Sequence, residues 1–170
     1  MLLLIKSYVL YICLVSLLSG AMKLLSFQFS LANTASLLDF RVTDTFLKPF
    51  LLLFITAELA IPLWFFASSS IQIAGIVILI LVYAAATAML LPVLLSKDSS
   101  SKHCGCYGSF FQEPVGFKKV FKNTGYLAVL SLALWLGDQA IFLPEVLISL
   151  LLISLHLLAL FEKNKKNIAW

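Results

Sequence analysis

Apolar stretches separated by short polar breaks run along almost the whole chain. The longest charge-free stretch, Leu59 to Ser96, covers 38 residues. One helical bilayer crossing needs about 20, so this stretch predicts two crossings joined by a tight turn at Ser68-Ser69-Ser70. The same pattern along the chain predicts five spans, at about residues 3–23, 46–67, 71–95, 117–136 and 140–161. Gly137-Asp138 marks a second tight turn, and Glu162-Lys163-Asn164-Lys165-Lys166 reads as a solvated stop. Asp44 or Thr45 suits the cap of the second span, with Pro49 in its first turn. Residues 24–45 are mixed: Phe27, Phe29 and Leu31 alternate with polar residues, and Leu37, Leu38 and Phe40 cluster near Asp39 and Arg41. This segment is expected at the interface, with a short helix lying on the membrane surface. Residues 96–115 form the one sizeable polar loop, which closes at Pro114. A cleavable signal peptide competes for the first stretch, because Lys6, an apolar run and Ser19-Gly20-Ala21 imitate its three parts. A single lysine is a thin basic region for that role, so a retained span is preferred.

Composition agrees with the pattern. Hydrophobic residues make up 62% of the 170 and charged residues 12%, against roughly 45–50% and about 25% in soluble domains. The chain is expected to be an all-α integral membrane protein, one domain over residues 1–170, built as a bundle of about five transmembrane helices. The net charge of +4 does not point to nucleic acid, because the basic residues flank the apolar segments and set orientation. With five spans, 11 of the 12 basic residues fall on the side of the 96–115 loop, and only Lys6 falls on the other. The positive-inside rule then puts that loop in the cytoplasm and the N-terminus outside.

Candidate chemistry gathers in two places. The first is Cys104-Gly105-Cys106-Tyr107 in the polar loop. Lys102 and His103 precede the pair, and nearby cations raise the thiolate fraction of a cysteine. Gly105 permits the backbone angles that so short a disulfide requires, and strained disulfides are the readily reduced ones. The pattern suits thiol–disulfide exchange. Two other readings stay open here: incidental loop cysteines, and a soft-metal site with His103 as third ligand. A closed zinc site wants four ligands, and the loops offer no second ligand pair, so no metal site is assigned. Cys13, inside the first span, reads as a small buried hydrophobe, or else as a mid-membrane relay thiol.

The second place is Glu58, near the middle of the second span. An acid at that depth costs about 3 kcal/mol to insert and usually faces a partner or a wet cavity. Pro62, four residues on, lacks the N–H that would bond the Glu58 carbonyl, so acid and loosened backbone coincide. Lys23 is a candidate partner if the first helix continues to about Phe27 or beyond; otherwise it snorkels to the interface. Arg41 is a further candidate, or an interfacial anchor. His156, alone on an apolar helix, reads as a hydrogen-bonded core residue.

Four elements in order resemble the methylamine utilisation protein MauE family, which is distantly similar to DoxX-like membrane proteins. They are Ser19-Gly20-Ala21-Met22-Lys23-Leu24, then Ala57-Glu58-Leu59 with Pro62, then Cys104-Gly105-Cys106-Tyr107-Gly108, and Asn123 after a basic, aromatic helix start. The family typically has phenylalanine where Tyr107 stands. The resemblance implies a DoxX-like four-helix core plus one C-terminal helix, in the bacterial inner membrane. It also implies a redox role in maturing disulfide-containing proteins such as methylamine dehydrogenase, with a thioredoxin-like protein or the client itself as partner. Cys104 and Cys106 would exchange disulfides, Lys102 and His103 would tune them, and Glu58 with Lys23 would handle protons or bind a quinone head group. A thiol–disulfide oxidoreductase is thus the leading reading. A non-catalytic assembly factor and a small metal or solute transporter subunit are the alternatives.

Overall fold

A computed structural model describes residues 2–38, 44–64, 69–95, 107–111, 115–136 and 143–168. They form six helices: α1 (Leu2–Leu25), α2 (Phe27–Leu38), α3 (Asp44–Trp64), α4 (Ser69–Leu95), α5 (Phe117–Leu136) and α6 (Leu143–Ile168). In hydrocarbon an open strand would leave backbone groups unsatisfied, whereas a helix bonds its own. Three of these helices are long and apolar enough to cross a membrane, over Leu2–Leu25, Gln72–Leu95 and Pro144–Glu162. The three lysines opening α5 make that helix less apolar.

Contacts run from α1 to α3, α3 to α4, α4 to α5 and α5 back to α1, which closes a four-helix ring. Among the described residues, the backbone of α6 approaches that of α1 and of no other helix, so α6 stands beside the ring. Helix α1 meets its ring neighbours on one side and α6 on the other, which explains the burial of its middle turns. Five consecutive residues, Val9, Leu10, Tyr11, Ile12 and Cys13, are all 7% exposed or less. They meet Ile61 of α3, Ile76 and Leu79 of α4, and Leu130 and Ala133 of α5. The outer face of α6 is the reverse of a soluble helix. Leu147, Leu151, Leu155 and Leu158 form a helical stripe, each more than half exposed. A large exposed apolar face of this kind belongs against lipid.

Two local features differ from the sequence expectation, and a third agrees with it. Ser69 and Ser70, expected in a tight turn, instead open α4. At the other end, α6 runs on through the lysine-rich tail to Ile168, because lysine and glutamate are good helix formers and cations suit a helix C-terminus. The mixed segment after the first span is a 12-residue helix whose Phe27, Leu31 and Ala35 recur every four residues and pack on Leu47, Leu51 and Ile55 of α3. The short helix expected of this segment is therefore present.

Candidate functional site

The joint between α1 and α2 positions the first site residue. The Ser26 hydroxyl donates to the Met22 carbonyl at 2.8 Å, sharing that acceptor with the backbone. The helical pattern nevertheless carries through: the Ser26 N–H donates to Met22 O at 3.1 Å and the Ser30 N–H to Ser26 O at 3.0 Å. Lys23 therefore sits on a helix that continues past it, and its side chain turns into the bundle, where Lys23 is 8% exposed.

There it meets Glu58 of α3. Lys23 Nζ donates to Glu58 Oε1 at 2.7 Å and to Oε2 at 2.8 Å, and Ser19 Oγ donates to Oε1 at 3.3 Å. Phe54, one turn before Glu58, lies beneath the ammonium at 5.0 Å. Gly20 makes the approach possible, since a Cβ there would stand 3.0 Å from Glu58 Cβ and 3.1 Å from Leu59 Cγ. The serine, glycine and lysine of α1 thus act together: one donates, one leaves room, one neutralises. Helix α3 continues through Pro62 and ends two residues later.

This pair forms part of the wall of a cavity of about 50 Å³ inside the helix ring. Tyr83, Tyr107, Lys119, Lys122, Asn123 and Tyr126 line the rest of its polar surface. Lys119 Nζ lies 5.4 Å over the Tyr107 ring and Lys122 Nζ 5.7 Å over the Tyr126 ring. A second, mostly apolar cavity of about 80 Å³ adjoins it and shares Lys23, Phe54 and Ala86.

Tyr107 opens a short turn, closed by a bridge to Phe111 and by Phe110 N–H donating to Tyr107 O at 3.3 Å. Gly108 lets the turn dock. Its φ is +58°, and a Cβ would collide with Ser26 Oγ and come within 2.8 Å of Met22 O. Ser109 N–H donates to Ser26 Oγ at 3.1 Å, so the hydroxyl at the α1–α2 joint also receives the turn. On the other side Phe111 stacks edge-on against Phe161 of α6 at 5.4 Å, and Leu160 closes the cluster.

His156 of α6 joins two of these parts. Tyr107 Oη is 2.8 Å from its Nε2 and Tyr11 Oη is 2.9 Å from its Nδ1. Tyr11 Oη is in turn 3.4 Å from Tyr126 Oη. Sequence reasoning treated His156 as a core residue and passed over Tyr11, Tyr126, Lys119 and Lys122. The available signal was a histidine and tyrosines at mid-helix, away from the interfaces where tyrosine usually sits in membrane proteins.

Of the residues singled out in the sequence, Lys23 and Glu58 meet directly, and Tyr107 shares their cavity with Gly108 beside it. Cys104, Cys106, Lys102, His103, Gly105 and Arg41 lie outside the described residues. Cys13 is a free, buried thiol within the main core.

An all-helical bundle with an apolar outside and a buried ion pair inside defines the class: an all-α integral membrane protein. Within that class the chain belongs to the methylamine utilisation protein MauE family, whose model matches residues 1–136. No curated protein and no solved structure matches it. The family match ends with α5, so α6 and His156 lie beyond it.

Proposed function

We propose that this protein is a membrane thiol–disulfide redox protein in which Cys104 and Cys106 form the exchanging pair. The observation that carries the reading is the position of Tyr107. It is bonded to Cys106 in the chain, is 2% exposed, and lines the same cavity as the Lys23–Glu58 pair. A reactive loop thereby ends against a buried proton-handling site. Lys102 and His103 favour the thiolate that attacks a partner disulfide. In each exchange the Cys104–Cys106 disulfide takes two electrons and two protons from a partner dithiol, or the reverse. The Lys23–Glu58 pair handles protons or binds the head of a quinone.

On this reading a quinone is the electron acceptor, with its head group at the adjoining cavities. A cavity of about 150 Å³ is what holds one benzene ring, so a quinone head would have to draw on both spaces, of about 50 and 80 Å³, the second of them mostly apolar. The family name ties such activity to methylamine utilisation, with a thioredoxin-like protein or a disulfide-containing client as the physiological partner. Five crossings in the bacterial inner membrane, with the cysteine loop in the cytoplasm, fit the charge distribution.

Redox titration of the purified protein tests the reading: the pair should convert reversibly between dithiol and disulfide, and Cys104→Ser or Cys106→Ser should abolish exchange while the bundle stays folded. Normal function in the double serine variant would leave the assembly-factor reading in its place.

A further inference from the structure

We infer that Tyr107, His156, Tyr11 and Tyr126 form a proton relay, with His156 of α6 as its central member. The inference rests on described side chains, and the thiol reading supplies only the source of the protons.

Every member of the chain can both donate and accept a hydrogen bond. A neutral imidazole donates from one nitrogen and accepts at the other, and here a tyrosine hydroxyl faces each nitrogen, at 2.8 and 2.9 Å. The two tautomers are therefore both fully hydrogen-bonded. A histidine serving only as a packing or docking group needs one partner. An intramembrane histidine between two amphoteric hydroxyls from different elements has the arrangement of a proton-transfer group.

One transfer balances as follows. Tyr107 gives its hydroxyl proton to Nε2, while Nδ1–H gives its proton to Tyr11. Tyr11 passes its own proton to Tyr126, and Tyr126 releases one to an oxygen base in the cavity, such as the Glu58 carboxylate. Tyr107 is then recharged by a proton donor at its end. Each member loses one proton and gains one, and one proton moves from the Tyr107 end to the Tyr126 end. Oxidising a dithiol to a disulfide releases two protons, so two passes serve one turnover, the imidazole ring turning over between them to bring its N–H back to face Tyr11. The Tyr11–Tyr126 link, at 3.4 Å, is the long one; hydroxyl pairs transfer at about 2.7–2.8 Å, so the rings must close by about half an ångström.

The direct test is nitrogen-15 NMR of His156 in protein carrying Cys104→Ser, Cys106→Ser and His103→Asn, where it is the sole histidine. The ring nitrogens should show signals averaged between protonated and unprotonated positions. Tyr107→Phe and Tyr11→Phe should each hold the ring in one tautomer, because loss of one hydroxyl makes the tautomers unequal. A single fixed tautomer in the otherwise unmodified relay would overturn the inference.

The kinetic test separates relay from latch, using the cysteine-intact protein and a soluble quinone or disulfide as oxidant. Tyr11→Phe leaves the Tyr107–His156 bond in place, yet it should slow turnover roughly tenfold or more and change the solvent isotope effect. His156→Gln, which keeps a hydrogen-bonding group, should do the same. Tyr126→Phe breaks the next link and serves if Tyr11→Phe fails to fold. Turnover unchanged by Tyr11→Phe but lost in Tyr107→Phe would mean that His156 only anchors the turn. If the wild-type pair shows no redox turnover, the proposed function falls while the NMR result still decides the relay.

Discussion

Removing Lys23 from beside Glu58 should loosen α1 from α3 more than any other single change at the site. At 2.7 Å and an effective dielectric of 20, two unit charges attract by about 6 kcal/mol before desolvation is counted. Desolvation offsets much of that gain, but truncating one partner strands the other, at a cost of about 3–5 kcal/mol. The two truncations are not equivalent. Glu58→Ala leaves the Lys23 ammonium over the Phe54 ring, on a long side chain able to reach for the interface. Lys23→Ala leaves the carboxylate on a short side chain, with Ser19 at 3.3 Å as its remaining hydrogen-bond donor in this site. Lys23→Ala should therefore be the costlier variant, and the double variant should cost less than the sum by about 1–3 kcal/mol. Equilibrium unfolding in mixed micelles, followed by circular dichroism as sodium dodecyl sulfate is raised, measures all four corners of the cycle. Single effects that add to within about 0.5 kcal/mol, or a Lys23→Ala cost below about 1 kcal/mol, would refute the claim that this pair joins α1 to α3.

Other expectations follow from the same geometry. Glu58→Gln keeps the shape and can still accept from Lys23 and Ser19, so turnover should fall roughly tenfold or more while membrane levels hold; loss of the protein on immunoblots would instead assign Glu58 a structural role. Gly108→Ala should lower thermal stability by about 1–2 kcal/mol from its positive φ alone, and more from collision with Ser26; adding Ser26→Gly should recover the steric part, and a silent Gly108→Ala would contradict the docked turn. Gly20→Val should separate α1 from α3 and cost about 1–3 kcal/mol in the micelle unfolding assay, with wild-type stability as the contrary result. A membrane-impermeant thiol reagent should leave Cys104 and Cys106 unlabelled in intact cells and label them after lysis; ready labelling of reduced cysteines from outside would reverse the proposed orientation.

The class of the protein was legible in the sequence because solvent chooses it. A chain with 62% hydrophobic residues and a 38-residue charge-free stretch cannot hide that surface from water by folding alone, so helices in a bilayer are the economical outcome. The depth of Glu58 was legible for the same reason, since an isolated acid among apolar residues demands a partner wherever the helices go. Which partner it takes was a tertiary matter. Lys23 lies 35 positions away, and it reaches Glu58 only because the helix carries on through Ser26 and Gly20 lets α3 come close. The role of His156 was hidden more deeply. Its partners are 145 positions away in α1 and 49 away in the turn, and no local period links them. Hydrophobic pattern reports the burial of one residue at a time, whereas a hydrogen-bonded chain exists only when separate helices bring their polar atoms to within about 3 Å. Packing decided that arrangement, by setting α6 against the buried middle of α1.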